Sequence, residues 1–340
     1  MKGCTAFVLL FVVLFGAPSL ASGAPLAAPA SQPEAPDFHA PLLERARELA
    51  ASGRPLELLV ASRLAYSQEL GSCPRASGQP CQSDVWLGQA IREGSEQPLI
   101  ARAAVSRCIH TKHCDIAAAI QTLRTREADD AVAQLLLWRL AVVRGNDDEA
   151  ALAWARVTQA TRYVDEYAEG LDVLDRMTRG LLLPLPDDAV QSSPDEARLT
   201  LVYALTAAFS TQALVDLQRQ CPAPADASRS AGCRHLLTLM ANSREVLASS
   251  YGSARMQVYA LDAAEREHWQ QRRREVAWVL EKASALLSGG TERGPAPDMQ
   301  EYLRQSVESG ELGAMRQLLA ANHIQAKPPA DWQPTMLSSN

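Results

Sequence analysis

Between Ala131 and Ala160 the apolar positions recur with the spacing of two amphipathic helices. Val132, Leu136, Leu140 and Val143 share one face of the first; Ala150, Ala153, Trp154 and Val157 fall at i, i+3, i+4 and i+7 in the second. Between them Gly145 suits a left-handed helix end, and Asn146 followed by Glu149 has the spacing of an N-cap with its reciprocal acid. The stretch therefore predicts an antiparallel helical hairpin with one apolar side. Such a hairpin cannot bury that side alone, so neighbours must stack on it.

The rest of the chain repeats the plan. Leu42, Ala46 and Leu49 predict a helix ending at Gly53, and Pro55 opens a second through Leu59 and Leu64. Helices follow through Trp86 and Ala90, from about Gln97 to Cys108, and from Asp115 to Leu123; another spans Tyr163–Arg179. Ser193-Pro194-Asp195-Glu196 is a capping serine, a first-turn proline and an acid three residues after the cap, launching a helix to about Gln220. Pro222–Gly232 reads as loop, Arg234–Asn242 as helix, and Ser253–Leu287 as a long segment whose polar middle, Glu265–Glu275, either projects or breaks. Met299, Tyr302, Leu303 and Val307 face one way in a last hairpin that turns at Gly310. The turn glycines at 53, 94, 145 and 310 keep no constant interval, so the array is irregular.

The run Leu140-Ala141-Val142-Val143-Arg144-Gly145-Asn146-Asp147-Asp148-Glu149-Ala150, with Trp154, Ala160 and Tyr163 beyond it, resembles the helix-turn-helix join of tetratricopeptide-type repeats over about one repeat. The whole chain is similar to uncharacterised secreted alanine-rich helical proteins of Gram-negative bacteria. The resemblance implies a fold and no active site.

Composition narrows the class. Of 340 residues 47% are apolar and only 5% aromatic, which favours close-packed helices over sheets and excludes wholesale disorder. Lys2, the apolar run Ala6–Phe15 and the small residues Pro18–Ala24 are the three regions of a secretory signal, with cleavage expected near Gly23. No later segment approaches the apolar length of a membrane span, and Cys4 precedes the apolar run, a poor position for lipidation. Without residues 1–23 the chain holds 32 basic and 39 acidic residues, a net charge of −7. That balance argues against a nucleic-acid or anionic-membrane partner. The densest basic cluster, Arg272-Arg273-Arg274, lies among Glu265, Glu267, Glu275 and Glu281 and reads as a solvated helix face.

Six cysteines then remain as close pairs, Cys73 with Cys81, Cys108 with Cys114, and Cys221 with Cys233, each bracketing one predicted interhelical loop. Six cysteines allow 15 pairings, but in an exported chain the loop-bracketing spacing favours three local disulfides, each stabilising by about 2–3 kcal/mol on the chain-entropy account. Cys108, His110, His113 and Cys114 are zinc or copper ligand types and form the sharpest candidate metal cluster. An oxidising compartment draws both thiols into a disulfide instead. Nucleophilic catalysis lacks its G-x-S-x-G elbow, and phosphate-loop, dinucleotide, H-E-x-x-H and calcium-loop patterns are absent from the sequence. His235 and His268 stand alone inside helices, and His39 and His323 lie near helix ends. Glu308-Ser309 with Gly313-Ala314-Met315 resembles elements of lytic transglycosylases, yet only 32 residues follow Glu308. The acid pairs Asp129-Asp130, Asp147-Asp148 and Asp187-Asp188 sit at helix starts or in a linker, where they serve as caps.

The expectation is an all-α protein, an irregular array of antiparallel hairpins of α-solenoid type stapled by local disulfides. Its parts are a signal peptide at 1–23, an Ala/Pro-rich linker at 24–40, a helical subdomain at 41–181, a linker at 182–192, a second helical subdomain at 193–323 and a flexible tail at 324–340. The functional expectation is a non-enzymatic exported scaffold, periplasmic or secreted, that binds a protein or peptide without a cofactor. The alternative is a metal-binding envelope protein using the Cys108–Cys114 cluster, and an enzyme of unknown chemistry ranks third.

Overall fold

The structure is a computed structural model that describes residues 39–69, 80–111, 114–184, 193–209, 216–222, 227–288 and 298–334. The expected signal peptide and nearly all of the spacer after it lie outside these residues, as do Cys73, His113 and Asp187-Asp188. Fifteen helices and no β-strand occur among the described residues. Sequential helices pack as hairpins: α1 (His39–Ala51) on α2 (Pro55–Glu69), α2 on α3 (Gln82–Gly94), α4 (Pro98–Ile109) on α5 (Ala117–Arg126), and α6 (Ala131–Val143) on α7 (Asp147–Val157). Then come α8 (Glu166–Thr178), α9 (Pro194–Phe209), the single turn α10 (Leu217–Gln220), α11 (Ala227–Ala241), α12 (Val246–Tyr259), α13 (Ala263–Leu287), α14 (Met299–Ser309) and α15 (Glu311–Ala321). No described helix is long and apolar enough to cross a membrane.

The local signals work as the chemistry requires. Gly145 takes a φ of 67° at the end of α6, and Asn146 Oδ1 accepts the Glu149 backbone N–H at 3.2 Å. The Glu149 carboxylate goes elsewhere, to Arg124 on α5, rather than back to the cap. Ser193 and Glu196 form the full reciprocal box, with bonds of 3.2 and 2.7 Å. Asp130 caps α6, accepting from Val132 and Ala133.

Five expectations change. The helix launched at Ser193 ends at Phe209, with α10 a separate turn, and α11 begins at Ala227 inside the predicted loop. The long polar segment is two helices, broken at Ala260–Asp262, where Asp262 caps α13. Its polar middle holds because its side chains find partners. Arg272 donates to Ala241 O at 3.2 Å and Ser249 Oγ at 3.3 Å, and Trp269 is buried with its indole N–H on Glu265. Arg274 donates to the carbonyls of Pro329, Ala330 and Trp332 at 2.8–3.1 Å. The basic cluster is thus partly a set of tethers, not a solvated face throughout. The same bonds, with Trp332 edge-on to Trp278 at 5.2 Å and the Trp278 indole N–H on Gln325 O, dock residues 324–334 of the expected flexible tail against α13.

The packing does not run only from neighbour to neighbour. Helix α8 touches α2, α9 and α14, so the last hairpin returns to the first half of the chain. One hydrophobic cluster joins α4–α7 to α11–α13; a second joins α1, α2 and α8 to α9 and Leu303 of α14, and includes Leu183 of the expected 182–192 linker. Both draw on either side of that linker. Helices α11 and α12 approach so closely at Gly252 that a Cβ there would collide with the Ala241 backbone nitrogen. The return is fastened where three helix starts meet. Glu311 at the head of α15 accepts the Val246 N–H of α12 at 2.8 Å, and Glu245 at the head of α12 accepts the Tyr167 N–H of α8 at 3.2 Å. Asp165 caps α8 itself, and the Leu312 N–H donates to Arg244 O at 2.9 Å.

Candidate functional site

Three groups of residues carry chemistry, and the cysteines come first because the sequence pointed to them. Cys108–Cys114 and Cys221–Cys233 are disulfides with Cα separations of 5.9 and 5.7 Å. Cys81 is disulfide-bonded too, and its expected partner, Cys73, lies outside the described residues. The first bond pins the end of α4 to the approach to α5, and the second pins α10 to α11. With both sulfurs joined, neither Cys108 nor Cys114 offers a thiolate to a metal, and exposed His110 ends α4. No group of three His, Cys, Asp or Glu side chains among the described residues is placed to hold a metal ion.

The other candidates separate. His235 Nε2 lies 2.6 Å from Ala160 O, and His268 sets its ring edge-on to Trp269 at 4.7 Å. Asp129 pairs with Arg162 at 3.2 Å, Asp147 and Asp148 occupy the first turn of α7, and exposed Glu308 pairs with Arg304 at 2.6 Å. None of these assembles with a nucleophile.

The second group is a buried ionic cluster. Arg102 on α4 is 2% exposed and meets three glutamates: Glu127 after α5, and Glu166 and Glu169 on α8, with Nε 2.9 Å from Glu166 Oε1. One guanidinium cannot balance three carboxylates. Burial, opposed by Arg102, raises Glu166 to about 7, while the glutamates together outweigh burial at Arg102 and hold it charged. Burial also raises Asp130 to about 6 and, among the capped helix starts, Glu311 to about 7, with Asp165 and Glu245 moved the same way. Their observed contacts are with one another and with backbone N–H groups, a structural arrangement.

The third group is a groove of about 470 Å3. Its floor is α6, through Leu137, Leu140 and Ala141; one wall is α5, through Ile120 and Arg124, and the other is α7, through Glu149, Leu152 and Arg156. Arg144, at the end of α6, completes the rim. Leu152 is 48% exposed, which leaves an apolar side chain on a wall rather than in a core. Arg124 and Glu149 form an ion pair across the floor, joining the two walls. Glu149 is the one acid among the lining residues, against three arginines. The arrangement can hold an apolar side chain between the walls, against Ile120 and Leu152, and an anionic group at the rim.

No family model, curated protein or solved structure matches the chain significantly. The hairpin that stands out in the sequence supplies two of the groove's three surfaces. The groove's arginines were not legible there, because Arg124, Arg144 and Arg156 sit on different helices at unremarkable spacing. Arg102 left a faint trace, a cation flanked on both sides by apolar residues in the stretch Pro98–Val105.

Proposed function

We propose that this protein is a non-enzymatic helical scaffold of the cell envelope that binds a protein or peptide segment in the groove between α5 and α7. The observation that carries this reading is the groove itself: an apolar floor in a wall-to-wall hairpin array, rimmed by cations, with Leu152 left exposed. Export to an oxidising compartment, the periplasm first, fits the amino-terminal signal pattern and the disulfides. The resemblance of the α6–α7 join to tetratricopeptide-type hairpins agrees with a binding role, since stacked helical hairpins offer extended recognition surfaces.

The test is photo-crosslinking in living Gram-negative cells, with a benzophenone side chain at Leu152 and, as controls, at the comparably exposed Leu247 and Val258. A discrete adduct at Leu152 alone is the expected result. Adducts of equal yield at all three positions, or at the controls only, would remove the groove from the function.

A further inference from the structure

The chemistry of the groove narrows its occupant. We infer that it binds an acidic peptide segment, one or two carboxylates flanking an apolar side chain, and that Glu149 is the built-in competitor for that acid. The inference rests on the groove being the binding face.

Four observations lead there. The whole chain carries −6, yet the groove lining holds Arg124, Arg144 and Arg156 against Glu149 alone. A basic groove on an acidic protein is complementary to an acidic ligand, which the molecule's net charge by itself disfavours. The acids just before Glu149 in the chain, Asp147 and Asp148, are exposed in the first turn of α7 and are not among the lining residues. Arg144 and Arg156 have no ion-pair partner among the described residues, in contrast with Arg124. The floor residues Leu137 and Leu140 are nearly sealed, so the apolar contact open to a ligand is with Ile120 and Leu152 on the facing walls. A side chain lying between those walls brings its neighbours along the chain to the arginine rim.

The Arg124–Glu149 pair then has a reading beyond stability. Both side chains are about one-third exposed or more, so the pair contributes little to folding. A carboxylate is already held where the ligand's carboxylate would sit. An incoming acid exchanges for Glu149 at Arg124, or adds at Arg144 and Arg156 while the Arg124–Glu149 pair stays intact. In either case affinity falls with salt, because the contacts are exposed ion pairs. No bond is made or broken.

The experiment is selection of displayed random dodecapeptides on the full-length, disulfide-bonded protein, followed by anisotropy titration of the enriched peptides in fluorescein-labelled form. Enriched sequences should place Glu or Asp within two or three positions of an apolar residue. Replacing those acids by Gln or Asn should weaken binding about tenfold, as should Arg144→Glu with Arg156→Glu. Glu149→Gln, which removes the competitor, should tighten binding about two- to fivefold, an effect a merely structural salt bridge would not give. Enriched peptides that are neutral or basic, lose affinity with Leu152→Glu and ignore the arginine variants would overturn this inference and leave the proposed function standing. Peptides whose binding is unchanged in Leu152→Glu, or a selection with no enrichment, would overturn both. Circular dichroism of each variant confirms that the fold is retained.

Discussion

Arg102 and the groove arginines are the same side chain put to opposite uses. Arg102 is sealed among helices α4, α5 and α8 and surrounded by three glutamates, so the whole of its charge is spent inside the molecule. Arg144 and Arg156 stand at a rim with an apolar floor beneath them and no acid of their own. The contrast turns on solvent. A buried cation must be matched within the fold, because leaving it or its partners unpaired is expensive, whereas a half-exposed one is kept comfortable by water and is free for a ligand.

The largest expected effect tests the buried side. Arg102→Met removes the ion-pair partner of Glu127 and Glu166 and should lower unfolding free energy by about 3–5 kcal/mol in urea titrations. Arg144→Met with Arg156→Met should stay within about 0.5 kcal/mol per site. Equal losses in the two variants would erase the distinction.

The pH dependence sharpens it. Glu166 and Glu311, raised to about 7, and Asp130, raised to about 6, keep protons in the fold that the unfolded chain has already released above pH 4–5. The native state therefore binds more protons in that window, and stability falls as pH rises from about 4.5 to about 7. Glu265 works in a separate window: its hydrogen bonds to Arg234 hold it down at about 2, so its contribution disappears as pH drops from about 4.5 toward 2. The unfolding free energy, and with it the melting temperature, should peak near pH 4.5–5, the free energy declining by about 1–3 kcal/mol toward neutrality, within what one or two partly raised carboxyls supply. Glu311→Gln, whose amide oxygen can still accept the Val246 N–H, should flatten that decline. A melting temperature that climbs steadily to pH 7.5 would show these carboxyls to be ionised in the fold.

Two smaller effects bracket the rest. Trp332→Ala removes the edge-on contact with Trp278 and should cost about 0.5–1.5 kcal/mol, with faster proteolysis after residue 324 as its local signature. Arg124→Gln should change stability by less than about 1 kcal/mol, since its pair with Glu149 is exposed.

Much of the fold was legible because it was local. The hairpin at 131–160, the box at Ser193, the turns at Gly53, Gly145 and Gly310 and the pairings Cys108–Cys114 and Cys221–Cys233 each depend on residues within a few turns of one another. The misreadings have a common cause as well. The polar run Glu265–Glu275 looked solvated and the segment after 324 looked loose because their partners, Ala241, Ser249 and the 325–332 carbonyls, lie far away in sequence.

The sequence by itself determined the helical class, the hairpin plan and the disulfide spacing, since periodicity, capping and loop closure act over short stretches of chain. Only the tertiary structure decided that α14 returns to α8, that Glu311 and Glu245 accept backbone N–H groups from the starts of other helices, and that three arginines on or beside three helices meet over one apolar floor. The physical reason is distance along the chain. Ion pairing and burial depend on which helices pack together, and no local pattern records that choice.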